Sequence, residues 1–232
     1  MIGIVIPAHN EAQHIGANVQ AAMRAAAHPD LGGEPVQVLV VLDSCDDATG
    51  TIAEQHGART LPLDVRNVGA ARAAGAQVLL AAGARWLAFT DADTIVSPDW
   101  LVAQLAQDAE VVCGAIGIDD WSPHGAHGEF LRAHFARTYT DADGHRHIHG
   151  ANLGVSAEAY LRVGGFSPLA CSEDVALVQA LQASGARIAW SAAPRVSTSA
   201  RVDARARGGF GDTLIAVVTA AGLLPATFNL PA

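Results

Sequence analysis

The sequence predicts an α/β fold in which helices cover both faces of a mostly parallel sheet. Two observations lead to this prediction. Short apolar runs alternate with alanine-rich, helix-compatible stretches through the first 116 residues, and this alternation is typical of a parallel sheet. The run at 36–42 is almost wholly apolar, as expected of a strand that is buried on both faces.

The predicted elements follow one another along the chain. In the first half, strands are predicted at 3–7, 36–42, 60–63, 86–90 and 111–116, with helices at 11–27, 49–56, 67–82 and 98–107. Asp46 or Asp47 is a suitable cap for the second helix. In the second half we predict a helix at 157–163, a helix capped by Ser172 and a strand at 187–190. The stretch 118–150 is predicted to be irregular.

Length and charge narrow the class of protein. A chain of 232 residues fits one large domain, or one domain with a small appendage. The formal net charge of −9 argues against a nucleic-acid partner, which would require a basic surface. Arginines are nevertheless concentrated late in the chain and indicate a local anion site: Arg195, Arg201, Arg205 and Arg207.

The cysteines and the apolar segments predict a cytoplasmic protein. The three cysteines are widely separated and odd in number, which is typical of a reducing compartment. The N-terminus is too short and uncharged for a signal peptide. The apolar stretch 214–226 is interrupted by Thr219, Gly222 and Pro225 and is shorter than the ~20 residues that a membrane span needs. We expect this stretch to form a helix that packs in the core or at a subunit contact. A homodimer and a peripheral contact with a membrane are both compatible with it.

Polar, carboxylate-bearing residues follow three of the predicted strands. They are Pro7-Ala8-His9-Asn10-Glu11, Asp43-Ser44-Cys45-Asp46-Asp47 and Asp91-Ala92-Asp93. Ligands of open α/β sheets bind beyond the carboxyl ends of the strands, so we expect these segments to meet in one crevice. The chain has neither Gly-x-Gly-x-x-Gly nor Gly-Lys-Ser/Thr, which argues against the usual dinucleotide fold and against a P-loop.

Asp91 and Asp93 are candidate ligands of a divalent cation. Mg²⁺ usually binds through one or two protein carboxylates together with phosphate oxygens. The alternative, that one of them caps the helix beginning near Pro98, is less favoured once the other acidic strand ends converge. Arg72, in the first turns of the helix after the third strand, is a candidate phosphate contact, although an arginine on a solvated helix face is more common.

The second half of the chain contains three further candidates. Six histidines fall between residues 124 and 149; without a nearby cysteine a zinc site is not favoured, and His149 is the candidate nearest the metal. Glu173 and Asp174 open a helix, where they could simply interact with its dipole or could present a base. The stretch 197–212 is basic, and it could close over an anionic leaving group or serve as a connector.

Together these segments resemble the family 2 glycosyltransferases, which have the nucleotide-sugar-binding fold called GT-A. The resemblance covers residues 2 to about 212. Besides the three strand-end segments, it rests on the following motifs, which occur in the family's order: Asn67-Val68-Gly69-Ala70-Ala71-Arg72, Gly150-Ala151-Asn152-Leu153-Gly154, Gly164-Gly165-Phe166 and Glu173-Asp174. It implies a metal-dependent enzyme that moves one sugar from a nucleoside-diphosphate sugar to an acceptor hydroxyl, with inversion at the anomeric carbon.

The resemblance also implies roles for individual residues. Asp174, with Glu173 beside it, would be the general base; Asp93 would bind Mg²⁺ or Mn²⁺, with Asp91 contacting the ribose or a metal-bound water. Gly150, Ala151 and Asn152 would approach the sugars, and Arg201, Arg205 and Arg207 the pyrophosphate. The implied nucleotide-binding residues are Pro7, Ala8, His9, Asn10, Glu11, Asp43 (facing the base), Asn67, Arg72, Asp91 and Ala92.

The resemblance further implies a domain organisation. Residues 1–212 would form a single GT-A domain, with a Rossmann-like nucleotide-sugar half at 1–116 and an acceptor half at 117–212, followed by an apolar tail at 213–232. The chain lacks the Gln-x-x-Arg-Trp motif of processive synthases and a histidine after His149. A single-addition enzyme is therefore implied, and Asp212 or water is left as the third contact to the metal.

Three alternatives stay open at this point. A retaining enzyme of the same fold would use Asp174 to position the acceptor. A sugar-phosphate nucleotidyltransferase would need a glycine-rich, arginine-containing loop after the first strand, where this chain has Pro7–Glu11. A nucleotide-sugar-binding module without activity is the third.

Overall fold

The computed structural model describes residues 1–169, 171–202 and 210–223. The strands are β1 (Ile2–Ala8), β2 (Val36–Asp43), β3 (Arg59–Leu63), β4 (Trp86–Phe89), β5 (Thr94–Val96), β6 (Val111–Gly117), β7 (Leu153–Ser156) and β8 (Ile188–Thr198). The helices are α1 (Ile15–Ala26), α2 (Thr49–Gln55), α3 (Val68–Ala81), α4 (Trp100–Leu105), α5 (Gly128–Thr138), α6 (Ala157–Arg162), α7 (Glu173–Ala183) and α8 (Phe210–Ala220).

The strands form one mixed sheet with the order β3-β2-β1-β4-β7-β6-β8-β5. β1 pairs in parallel with β2 and β4, β2 with β3, and β6 with β8. β7 is antiparallel to both β4 and β6, and β5 is antiparallel to β8. Six strands therefore point in one direction, and their carboxyl ends lie at the same edge as the beginning of β7.

Alternate side chains of the strands form two hydrophobic layers. In β1, Ile4 and Ile6 pack with α1 and α4 on one face, while Val5 packs with α3, α6 and α7 on the other. α3 lies especially close to the sheet: a Cβ on Gly75 would approach Val5 to 2.6 Å. The two layers confirm the prediction of helices on both faces of the sheet.

The structure differs from the predicted elements mainly in the second half. The stretch predicted to be irregular contains α5, and the predicted strand at 187–190 is the beginning of the eleven-residue β8. The predicted cap of α7 is wrong: Ser172 has a φ of 57°, and its side chain makes no capping hydrogen bond. For α2, Asp47 does accept the N–H of Thr49 at 2.9 Å.

The last described helix belongs to a small third cluster. Leu214 and Val218 of α8 are buried against Trp121 and against Leu131 of α5. This packing supports the core-helix interpretation of the apolar segment. No helix in the described part of the chain is long and apolar enough to cross a membrane.

Candidate active site

A cavity of about 750 Å³ opens at the edge of the sheet where the strand ends converge. The end of β2 and the segments that follow β1, β3, β4 and β8 contribute to its wall, as do the beginnings of α3 and α7. Most of the predicted site residues line it: Pro7, Ala8, His9, Glu11, Asp43, Asn67, Arg72, Asp91, Ala92, Asp93, Gly150, Ala151, Glu173, Asp174 and Arg201. Asn10 and Asn152 are outside that lining, and Arg205 and Arg207 lie outside the described residues.

Arg72 is buried and joins two distant carboxylates. Its Nη2 donates to Asp91 Oδ1 at 2.5 Å, and its Nη1 donates to Glu173 Oε1. Its guanidinium carbon also lies 5.8 Å from the centre of the Phe166 ring. Both Arg72 and Glu173 are less than 5% exposed, so each charge depends on the other for compensation. Arg72 thus links the carboxylate after β4 to the beginning of α7.

Gly150 connects this ion pair to Asp174. Its backbone N–H donates to Asp174 Oδ2 at 2.7 Å. A Cβ at this position would lie 2.4 Å from Arg72 Nη2, so only glycine allows the guanidinium to lie there. Asp174 Oδ1 accepts the N–H of Val175 at 2.8 Å. Hydrogen bonds to both oxygens therefore orient the Asp174 carboxylate, which faces the cavity.

A second charge cluster forms around Arg201, which follows β8. Its guanidinium donates to both carboxylate oxygens of Glu11, at 2.7 and 3.0 Å. It also lies 2.8 Å from Asp93 Oδ2. Burial raises the pKa of Asp93 to about 6; Arg201 opposes this shift, and the charges of Asp91 and Glu11 add to it. Ionised Asp93 therefore requires positive charge nearby.

The residues at this position fit a divalent cation. Asp91 and Asp93 both reach the cavity, and Mg²⁺ or Mn²⁺ needs only one or two carboxylates where phosphate and water supply the remaining oxygens. In the described ranges no three His, Cys, Asp or Glu side chains are grouped as a ready-made metal site. Such an ion would accordingly depend on its ligand for much of its coordination.

Asp43 holds the loop that leads into α3. Its Oδ1 accepts the N–H groups of Val65 and Arg66 at 2.9 and 2.8 Å, and its Oδ2 accepts that of Asn67 at 2.7 Å. Burial raises its pKa, but these backbone donors outweigh burial and leave the pKa below its usual value. Asp43 lines the cavity, but backbone donors already use both carboxylate oxygens.

The segment after β1 is tied to the segment after β2. His9 Nδ1 lies 2.7 Å from the carbonyl oxygen of Asp43. Asn10 Nδ2 donates to Asp46 Oδ1 at 2.7 Å, and Asn10 Oδ1 accepts the N–H of Asp46 at 3.0 Å. Asn10 therefore lies where the segments after β1 and β2 meet, and it supports the wall of the cavity.

Asn152 is a buried scaffold residue, contrary to its predicted position near the sugars. Its side chain is 0% exposed and makes three hydrogen bonds inside the protein. Oδ1 accepts from Trp100 Nε1 at 2.8 Å, and Nδ2 donates to the carbonyls of Ala115 and Pro194 at 2.7 and 3.0 Å. These bonds join the beginning of β7 to α4, β6 and β8. They also satisfy the polar atoms of the amide, as burial requires.

Sequence reasoning missed Tyr139 and the arrangement of the histidines. His149 lines the cavity, as does Ile116 at the end of β6. The hydroxyl of Tyr139 lies 3.1 Å from His149 Nε2. The spacing of two residues between His145, His147 and His149 could have indicated that the three side chains share one face of an extended segment. No pattern in the sequence pointed to Tyr139, because the segment around it was predicted to be irregular.

Comparison with known proteins identifies a family and a fold that this chain shares. The family model described as "Glycosyl transferase family 2" matches residues 3–164, more than half of the chain. No curated protein sequence matches the chain.

Three solved structures illustrate the similarity in fold. The mannosyltransferase PcManGT from Pyrobaculum calidifontis, in complex with GDP-Man and Mn²⁺, is 17% identical, with a TM-score of 0.64 over 89% of this chain and 58% of its own. Glucosyl-3-phosphoglycerate synthase from Mycobacterium tuberculosis, in complex with Mg²⁺ and UDP, is 19% identical, with a TM-score of 0.59 over 99% and 82%. TarS 1-349 from S. aureus, in complex with UDP-GlcNAc, is 14% identical, with a TM-score of 0.59 over 85% and 58%. The chain thus spans a little over half the length of the first and third.

Proposed function

Since the chain belongs to glycosyltransferase family 2 and has the GT-A fold, we propose that it transfers one sugar from a nucleoside-diphosphate sugar to an acceptor hydroxyl, with inversion. One observation carries the proposal. The carboxylates that would serve the leaving group, Asp91 and Asp93, and the carboxylate that would serve the acceptor, Asp174, face the same cavity. Arg72 and Gly150 link the two sides.

On the acceptor side, Asp174 takes the proton of the attacking hydroxyl. Hydrogen bonds from two backbone N–H groups fix the direction of its carboxylate, as a general base requires. Glu173 acts indirectly, because its carboxylate is paired with buried Arg72 and so holds the beginning of α7 in place. Transfer then forms a bond from the acceptor oxygen to the anomeric carbon and releases a nucleoside diphosphate.

On the donor side, the cavity wall between Pro7 and Glu11, together with Asn67, receives the nucleoside. Asp93 and Asp91 would hold Mg²⁺ or Mn²⁺, which would supply positive charge to the departing pyrophosphate. Arg201 adds a guanidinium at the same position, 2.8 Å from Asp93, and can contribute to phosphate binding. The roles of Arg205 and Arg207, the division into halves at residue 116, the cytoplasmic location and the oligomeric state stay predictions.

A donor screen tests the proposal. UDP, GDP and dTDP sugars are added with and without Mn²⁺, and the melting temperature is recorded. A ligand at 100-fold over its Kd stabilises the protein by about 3 kcal/mol, which corresponds to a shift of several degrees. The proposal fails if none of these nucleotides changes the melting temperature under either condition.

Two variants separate the metal role from the base role. Asp93→Ala should remove the Mn²⁺-dependent part of the shift. Asp174→Asn should bind the donor normally and lose turnover, whereas Asp99→Asn, an exposed acid outside the cavity lining, should behave as wild type. If Asp174→Asn turns over normally, it is not the base. NMR of the product anomer distinguishes inversion from the retaining alternative.

A further inference from the structure

The three histidines of the segment before β7 form a stacked column beside the cavity. The ring centroids of His145 and His147 are 5.4 Å apart, and those of His147 and His149 are 6.0 Å apart. Tyr139, just after α5, stacks on His147 at 4.1 Å and also lies against His149 at 5.9 Å. This packing holds the imidazole of His149 in one orientation at the cavity wall.

Tyr139 connects the end of β6 to His149 through its hydroxyl. The N–H of Ile116 donates to the Tyr139 oxygen at 2.9 Å. The same hydroxyl lies 3.1 Å from His149 Nε2, and it can either donate to this nitrogen or accept from it. When the hydroxyl donates, Nε2 is the acceptor and Nδ1 carries the hydrogen of the neutral ring.

The surroundings keep this imidazole neutral. Burial, followed by repulsion from His147 and His145, lowers the pKa of His149 to about 4, although the charge of Asp91 opposes the shift. A neutral ring whose Nε2 accepts a hydrogen bond and whose Nδ1 is protonated has no lone pair left for a metal. His149, the histidine predicted to lie nearest the metal, is therefore a hydrogen-bond donor in this arrangement.

His149 lies between the donor side and the acceptor side of the cavity. It directly precedes Gly150, which donates to Asp174 and packs against Arg72, whose guanidinium in turn holds Asp91. Among the described residues, no hydrogen bond engages Nδ1 of His149. His149 lines the cavity and thus borders the space between the leaving-group carboxylates and the base, which is where a transferred sugar would lie.

We propose that His149 donates a hydrogen bond from Nδ1 to a hydroxyl of the transferred sugar and that Tyr139 fixes the tautomer that makes this possible. The inference rests on the proposed function and assigns a sugar-recognition residue to it. A preorganised donor of this kind costs little reorganisation on binding, because its partner and its stacking neighbours already define its direction.

The binding test compares a nucleotide with its sugar conjugate. Calorimetry measures the Kd of UDP and UDP-glucose, and of GDP and GDP-mannose, for wild type, His149→Phe and His149→Asn. His149→Phe should weaken binding of the sugar conjugate about 10-fold and leave the free diphosphate unchanged. His149→Asn should recover most of this loss, because its amide nitrogen lies near the Nδ1 position. His134→Phe, on α5 and outside both the column and the cavity lining, should bind both ligands as wild type does.

The outcomes separate this inference from the proposed function. If wild type binds none of the UDP, GDP and dTDP sugars of the donor screen, the proposed function fails. If wild type binds a sugar conjugate and His149→Phe leaves its Kd unchanged, or weakens the free diphosphate equally, the assignment of His149 is wrong.

The tautomer is measured independently of any ligand. In ¹⁵N spectra of wild type, Nε2 of His149 should resonate as an unprotonated nitrogen and Nδ1 as a protonated one. Tyr139→Phe should move both resonances towards a mixture of tautomers and reduce the affinity for the sugar conjugate a few-fold. A protonated Nε2 in wild type would overturn the inference.

Discussion

Replacement of Arg72 by methionine should destabilise the protein strongly. Arg72 and Glu173 are 3% and 4% exposed, and Glu173 Oε1 accepts from the guanidinium. Methionine fills much of the same volume, so the main loss is the positive charge. Asp91 loses its partner as well, but its side chain is 37% exposed and water can solvate it. The cost therefore arises mainly from Glu173.

The expected magnitude follows from the burial of the pair. Removal of one partner from a buried ion pair costs about 3–5 kcal/mol, because the other charge is left uncompensated. For a chain of this size each kcal/mol lowers the melting temperature by about 2–4 °C, so the variant should melt roughly 6–20 °C lower.

Thermal and urea unfolding measure this effect, with two controls. Arg132→Met breaks the exposed pair between Arg132 and Glu129, whose atoms are 2.8 Å apart, and should leave the melting temperature almost unchanged. The double variant Arg72→Met/Glu173→Leu removes both buried charges and should recover most of the lost stability.

Two results would refute this reasoning. A loss below about 1 kcal/mol for Arg72→Met would mean that Glu173 is not an uncompensated buried charge in the variant. A double variant no more stable than the single one would place the loss in the packing of Arg72 against Phe166 rather than in charge.

Three further predictions concern the scaffold of the site. Gly150→Ala should reduce turnover by at least ~10-fold, because its Cβ would lie 2.4 Å from Arg72 Nη2; Gly117→Ala, whose nearest contact would be 3.5 Å, is the matched control in the same kinetic assay, and equal rates would contradict the prediction. Asn152→Leu should cost roughly 3 kcal/mol or more in urea unfolding, since three buried hydrogen bonds are lost; a loss below about 1 kcal/mol would show that the scaffold does not need them. Asp43→Asn should lower the free energy of unfolding by about 1–3 kcal/mol at pH 7. Because the pKa of Asp43 is lowered in the fold, the stabilisation from its carboxylate is present at neutral pH and is lost as the pH falls through the folded pKa. Unfolding curves of variant and wild type should therefore converge in acid, and a difference independent of pH would contradict the prediction.

The position of the site was predictable from strand direction. Pro7, Asp43 and Asp91 each follow an apolar run, and parallel strands bring such positions to one edge of the sheet. The structure places all three in the wall of one cavity. The beginning of β7 reaches the same edge for a different reason, because β7 runs antiparallel to its neighbours, and only the family's motif at Gly150 anticipated it.

The partners of the charged residues were not predictable in this way. Arg72 was expected near phosphate, yet it is held by Asp91 and by Glu173, which is 101 positions away. Asn152 was expected near a sugar and instead satisfies three groups of the interior. A side chain's hydrogen-bond partners depend on which distant groups share its buried environment, and a local pattern contains no information about that.

The sequence by itself determined the alternation of strands and helices, the edge of the sheet at which polar residues gather and the family to which the chain is similar. These follow from hydrophobic periodicity and short motifs, which act over a few residues. Only the tertiary structure decided that Asp43 holds a loop, that Arg72 links the two sides of the cavity and that Tyr139 orients His149. The physical reason is that burial makes each unpaired polar atom costly, so the assembled fold selects the partners.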